Sequence, residues 1–319
     1  MPTATPQPHA PHVVLGSGPA GTALARELVH RGHPVRLVDR RADGPAIEGV
    51  ERFAADVGTA DGARAAIRDA AVVYHCVNVA YHLQVDVMPR VQQAVLAAVE
   101  AGGSRLVVLD TLYPYGETGR AVMTEDSPWK ATSRKGRMRA ELDERYLAAH
   151  RSGRARVVLG RSDDFVGPGV LNSSLGAAVF PGALTGGDVV AIGDVDLPHS
   201  YSGIQDVAAG LATLGERPDG DGRVWHLPTA PAVSTREIHT MIEKRVGRPL
   251  NVVVLDRPRP FGPFDEQLMA EYEEMFYQHT EPQIMDSSAF ESFFGAAPTP
   301  LPDTVDATVT WYEAWLRSR

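Results

Sequence analysis

A glycine-rich stretch holds the clearest chemistry in this chain. Val13-Val14-Leu15 runs into Gly16-Ser17-Gly18-Pro19-Ala20-Gly21, a G-x-G-x-x-G pattern that closes a β-branched run and opens a helical one. In that setting Gly16 permits a tight turn, Gly18 lets the backbone approach a pyrophosphate, and Gly21 allows close helix packing. With Pro19 and Ala20 these residues make a helix N-terminus whose unpaired N–H groups and dipole favour an anion. Asp39, at the end of the next strand-like run, suits the ribose hydroxyls of NAD, whereas Arg40 and Arg41 suit the 2′-phosphate of NADP. The signals conflict, and the two consecutive arginines tip the expectation to NADP(H), with NAD(H) as the alternative.

The elements that would position this loop alternate. Strand-like runs at 12–15, 35–38, 53–55, 71–75, 106–109 and 157–159 are separated by helix-like runs at 22–31, 88–101 and 140–149. Short strands alternating with helices predict an α/β fold, a doubly wound parallel (Rossmann) sheet covered on both faces. After Gly160 the rhythm loosens, with helices expected over 235–246 and 264–277 and a strand over 252–255. Residues 12–160 read as the dinucleotide-binding domain, with returns near 200–228. Residues 161–319 read mainly as a smaller, discontinuous substrate domain, and residues 1–11 as a disordered tail.

Composition excludes several functions. The formal net charge is −9, with a single short basic cluster at 134–139, so neither nucleic acid nor an anionic membrane is an expected partner. Cys76 is the sole cysteine, which rules out an internal disulfide and a multi-cysteine zinc site. His75 and His82 lack a carboxylate or third histidine at ligand spacing, so no metal is expected from them. Without a signal-like or membrane-spanning apolar run, the expected location is the cytoplasm.

Beyond the glycines, the order of motifs resembles the extended short-chain dehydrogenase/reductase family, also described as NAD-dependent epimerase/dehydratase, over nearly the whole chain. Asp110-Thr111-Leu112-Tyr113-Pro114-Tyr115-Gly116 resembles the family's Ser-Ser-x-x-Val-Tyr-Gly, and Arg161-Ser162-Asp163-Asp164-Phe165-Val166-Gly167-Pro168-Gly169 resembles its Arg-Pro-x-Asn-x-Tyr-Gly-Pro-Gly. The resemblance implies Asp56 at the adenine, Thr111 as the catalytic hydroxyl, Ser162 and Asp163 near the nicotinamide, and Asp164 near substrate. It also allows a homodimer through the helices flanking the fourth and fifth strands. The loop after the fourth strand should cross the cofactor, putting Val77 and Asn78 near its ribose and Tyr81 and His82 within reach of substrate.

One departure matters more than the matches. The family carries Tyr-x-x-x-Lys on the helix after the fifth strand, but here Lys135 falls at the Tyr position and Arg139 at the Lys position. Hydride transfer rests chiefly on positioning and on the cofactor's own chemistry, and a general acid contributes about 10²–10⁴ in rate, so another donor can serve. Thr111, Tyr113 and a desolvated Lys135 are the candidates, while Arg139, always protonated, suits cofactor ribose or phosphate.

Sugar-nucleotide members place an Arg before the Asp-Asp-Val-Ala segment to grip a diphosphate. His199 stands there in this chain, near Asp194 and Asp196, which makes a poor diphosphate clamp. Phe261, Phe264, Tyr272, Phe276 and Tyr277, with Phe165, suggest instead an apolar pocket for a large aromatic small molecule, although helical spacing makes core packing their commoner role. The expected function is NAD(P)H-dependent reduction of a ketone on such a molecule. Sugar-nucleotide epimerisation or dehydration is the second reading, and a non-catalytic NAD(P)-sensing regulator the third.

Overall fold

A computed structural model describes residues 10–319, so the tail expected over residues 1–11 lies almost wholly outside the described residues. Strands β1 (His12–Leu15), β2 (Val35–Asp39), β3 (Val50–Ala54), β4 (Val72–His75), β5 (Arg105–Thr111) and β6 (Arg156–Ser162) form one parallel sheet in the order 6-5-4-1-2-3. The strand Val224–His226 joins it beside β6 as a seventh.

Strand residues alternate between two apolar layers, as the two-residue period of a strand requires. Val14, Leu37, Tyr74, Val107 and Val158 pack on one face against Leu24 and Leu28 of α1 (Pro19–His30) and Val207 and Leu211 of the helix Ile204–Glu216. Val13, Leu15, Val73, Leu106 and Val157 pack on the other against α2 (Ala60–Ile67), α3 (Gln84–Gly102) and α4 (Arg134–Arg151), through Ala63, Val91, Val95 and Tyr146. Each fully buried aliphatic side chain of this set contributes about 1.5–3 kcal/mol. The double layer is what leaves the carboxyl edge of the strands as the place for a ligand.

Element boundaries differ from the sequence expectation where caps decide them. Pro19 sits in the first turn of α1, where its missing N–H costs nothing, so the helix starts before Thr22. Ser133 caps α4 by accepting the Gly136 N–H at 3.1 Å, which extends that helix back from 140 to 134. The run expected as one helix over 264–277 splits. Asp265 caps a helix Glu266–Tyr272, and a 3₁₀ segment Glu273–His279 follows.

The C-terminal half adds two further apolar clusters. One gathers Val166, Phe180, Ile238, Val305 and Tyr312, with the Phe180 and Tyr312 rings stacked at 4.9 Å. The other gathers Ile192, Leu255, Phe264 and Met269 on the parallel pair Asp188–Ile192 and Asn251–Leu255. This second cluster carries helix Glu266–Tyr272 over the carboxyl edge of the sheet, close to the turn Tyr81–Leu83.

Candidate active site

The glycine loop lies between β1 and α1, where the strand order reverses. Gly16 has φ +100°, and a Cβ there would lie 2.8 Å from the Cys76 carbonyl oxygen. A Cβ on Gly21 would lie 1.9 Å from the Gly16 carbonyl oxygen. Gly18 is different: a Cβ there meets nothing within 4 Å, and the residue is the N-cap of α1 with no side chain capping it. Two glycines thus close the turn, and the third keeps open the space in front of unpaired helix N–H groups. That is the arrangement a pyrophosphate needs.

At the adenosine end, Asp39 Oδ1 accepts the backbone N–H groups of Arg41 and Ala42 at 2.9 and 2.6 Å. Burial raises its pKa, but those backbone bonds, the Ser17 hydroxyl and the Arg52 charge outweigh it and hold the carboxyl below its usual range. Its Oδ2 is buried with no hydrogen-bond partner. Arg41 is turned to Asp43 at 2.8 Å and Arg40 is exposed. The cation set against Asp39 is therefore Arg52 of β3, at 3.5 Å, rather than either of the arginines expected from the sequence. Asp56 lies just beyond β3, its Oδ1 accepting the Gly58 N–H at 2.9 Å.

Thr111 ends β5 in register with Ser162 at the end of β6, so the two hydroxyls stand side by side at the carboxyl edge. Ser162 Oγ is buried and unpartnered. Two residues on, the Tyr113 hydroxyl meets the Tyr81 hydroxyl at 2.7 Å, and the Tyr272 ring packs on Tyr81 with centroids 5.4 Å apart. Burial pushes all three phenols well above their usual range, so they remain protonated donors at neutral pH. Val77 and Asn78 lead from β4 toward this group. Asn78 Oδ1 accepts from Gln84 Nε2, Arg139 Nη2 and the Val79 N–H at 3.0–3.1 Å. Arg139 Nε is left buried without a partner, a donor free for a ribose or phosphate oxygen. His82, expected near substrate, is instead exposed, because the turn Tyr81–Leu83 directs only its first side chain inward.

Lys135 corrects a second expectation. Its side chain is fully buried, and its ammonium binds the Glu271 carboxylate and Glu274 Oε1, the latter at 2.7 Å. It anchors helix Glu266–Tyr272 and the 3₁₀ segment after it over the site and is not a free acid. Beneath it, Arg161 is buried between Asp110 and Asp143, both at 2.6 Å, with its guanidinium over the Tyr115 and Trp129 rings. Burial and the neighbouring Asp110 raise the Asp143 carboxyl above its usual range, against the opposing pull of Arg161.

On the far side of the pocket Asp163, Asp164 and His199 converge. The His199 Nε2 lies 3.7 Å from Asp163 Oδ1 and 3.5 Å from Asp164 Oδ2, and Ser174 Oγ donates to Asp164 Oδ2 at 2.7 Å. Burial lifts Asp163 to about 7, whereas the nearby His199, the His279 ring and the Ser174 hydroxyl overcome burial at Asp164 and hold it at about 2. Phe165, expected at the substrate, packs against the apolar layer beside α1 because its strand turns it inward. Sequence reasoning missed Arg52, Glu271, Glu274, Asp143 and Ser174. Each works through a partner distant in the chain, and no local motif marks such pairs.

These features define a Rossmann-type enzyme with a nicotinamide dinucleotide cradle at the switch point of its sheet and a cluster of tyrosines at the strand ends. The family model described as "NAD dependent epimerase/dehydratase family" matches residues 13–227, and the chain belongs to that family, whose members are NAD-dependent oxidoreductases and epimerases. No curated protein sequence matches the chain. Among solved structures it is similar to a UDP-glucose 4-epimerase from Thermotoga maritima, determined with UDP-glucose (TM-score 0.80, 15% identity, 96% of this chain and 99% of that one). It is also similar to a UDP-glucuronic acid 4-epimerase from Bacillus cereus in complex with NAD (TM-score 0.77, 18% identity, 97% and 98%). A dTDP-glucose 4,6-dehydratase double mutant from Streptomyces venezuelae, with NAD bound, gives TM-score 0.77 at 19% identity over 95% and 98%. No described helix is long and apolar enough to cross a membrane.

Proposed function

We propose that this protein is an NADPH-preferring ketoreductase that converts a ketone on an aromatic, polyketide-type small molecule to a secondary alcohol. The observation that carries the reading is the hydroxyl pair of Tyr113 and Tyr81 beside Thr111, in a chain whose helix α4 offers Lys135 and Arg139 in place of Tyr and Lys. When bound, the cofactor supplies a hydride to the carbonyl carbon. Thr111 holds the carbonyl oxygen by a hydrogen bond. Tyr113 O–H gives its proton to the developing alkoxide, and Tyr81, hydrogen-bonded to it at 2.7 Å, holds it in place. Arg139, steadied by Asn78, holds the cofactor ribose or phosphate. Tyr81, Tyr113 and Tyr272 form an aromatic wall suited to a planar ligand.

The substrate side supports an uncharged ligand. His199 stands where a diphosphate-binding Arg would, and it is engaged by two carboxylates, an environment that repels phosphate. In overall motif character the chain resembles the simocyclinone 7-ketoreductase, which acts on an aromatic polyketide antibiotic. On that resemblance we infer a role in antibiotic tailoring in the cytoplasm, with a homodimer formed through α3 and α4.

The similarity to structures holding nucleotide sugars favours one second reading, an epimerase or dehydratase of a sugar nucleotide. Incubating the purified protein with NADPH or NADH and a panel of polyketide quinones and ketones, and in parallel with UDP-glucose and dTDP-glucose, separates them. Stoichiometric NADPH oxidation with formation of an alcohol is expected. Conversion of a sugar nucleotide without net cofactor consumption would overturn the ketoreductase reading.

A further inference from the structure

The group at Asp163, Asp164 and His199 has no part in the proton transfer proposed above, and its geometry is unlike that of an ordinary ion pair. His199 Nε2 faces both carboxylates, yet at 3.5 and 3.7 Å it is beyond hydrogen-bond length from either. One ligand atom from each residue lies within 4.8 Å of the other two. Nε2 and Asp163 Oδ2 have no hydrogen-bond partner, although the two side chains are only 7% and 6% exposed. Buried polar atoms are normally satisfied, so two orphans within one three-residue group mark a missing partner. Two carboxylates and an imidazole lone pair call for a cation.

Distances narrow the choice. Ligands held at about 2.0–2.1 Å from a tetrahedral ion stand about 3.4 Å apart. The observed spacings match that edge to within a few tenths of an ångström, and they are too long for a bridging proton. The supporting shell is also present. Ser174 Oγ donates to Asp164 Oδ2, and the Asp164 N–H donates to Asp163 Oδ1 at 2.9 Å. The His199 ring stacks on His279 with centroids 5.8 Å apart and meets the tilted Tyr201 ring at 4.8 Å. Metal-binding imidazoles and carboxylates are oriented in this way by outer partners. One nitrogen with two oxygens selects a borderline first-row ion over Mg²⁺ or Ca²⁺, which prefer oxygen alone.

We propose that Asp163, Asp164 and His199 form a binding site for one Zn²⁺-class divalent cation, with a fourth coordination position open. This goes beyond the ketoreductase reading and stands whether or not that reading holds.

The test uses untagged full-length protein, stripped with a chelator, desalted and titrated with Co²⁺. Tetrahedral Co²⁺ gives an intense visible absorption, which Zn²⁺ should then displace. One ion per chain is expected. Asp163→Asn, which keeps size and shape, and His199→Gln, which keeps most of the length, should abolish the band, and Ser174→Ala should weaken binding about 10–100-fold. The circular dichroism spectrum and the thermal melting curve verify that each variant is folded. The proposal is overturned if the wild-type chain binds no stoichiometric Co²⁺, or if Asp163→Asn binds it as tightly. In the first case a protonated His199 alone balances the carboxylates. Ketone reduction that persists in chelator would remove only a role for the ion in turnover, because absorption, not activity, reports the site.

Discussion

Two variants decide which side chain replaced the missing tyrosine of α4. Tyr113→Phe removes one oxygen whose hydrogen-bond partner is the Tyr81 hydroxyl at 2.7 Å. Losing such a bond costs about 1 kcal/mol of stability. Losing the general acid costs about 10²–10⁴ in kcat, or about 3–5 kcal/mol of barrier, with KM for NADPH unchanged. Lys135→Met has the opposite profile. It leaves Glu271 and Glu274 facing each other without their cation, and breaking a buried pair costs about 3–5 kcal/mol. Both glutamates retain about a fifth of their exposure, so the lower end applies, and the damage should appear in the melting temperature and in KM for the ketone. Steady-state NADPH oxidation beside thermal melting reads both. If Tyr113→Phe keeps kcat within about 3-fold of wild type while Lys135→Met abolishes it in a folded protein, the assignment of the proton donor is refuted.

Three further outcomes follow from the same geometry. Gly18→Ala should fold normally, since its Cβ meets nothing, yet weaken dinucleotide binding at least about 10-fold by occupying the pyrophosphate space; Gly21→Ala should instead fail to fold stably, which paired melting and titration will distinguish. Arg52→Ala should weaken NADPH about 10–100-fold and leave NADH nearly unchanged, measured as the ratio of the two dissociation constants. His75 and His226 are buried neutral, with burial as the main cause lowering each from 6.5 to about 4. The unfolded chain therefore takes up protons first, and stability present above pH 6.5 falls as the pH drops toward 4, by about 1–3 kcal/mol for each histidine. Denaturant unfolding at stepped pH checks this, and His226→Gln should flatten the slope.

Much of the architecture is legible in the chain because its causes are local. Gly16, Gly18 and Gly21 and the β-branched runs act within a few residues of themselves. The parallel sheet and the cradle follow from them. The fate of Lys135 does not, because its partners lie about 136 and 139 positions away on a helix whose placement depends on Phe264 and Met269 reaching their own cluster. Arg52 is hidden for the same reason. It faces Asp39 only because β3 pairs with β2 in a register that sequence alone leaves free. Tyr113 could be suggested from its motif, whereas its meeting with Tyr81 required two loops to arrive at one sheet edge.

The burial of Lys135 also makes the molecule its own reporter. The chain contains three lysines, and the other two, Lys130 and Lys244, are exposed. An amine-acylating reagent therefore marks those two at once and reaches the third only while helix Glu266–Tyr272 is lifted. The slow appearance of that third adduct, followed by mass spectrometry, times each breath of the pocket, and any ligand that seals the chamber should lengthen the interval.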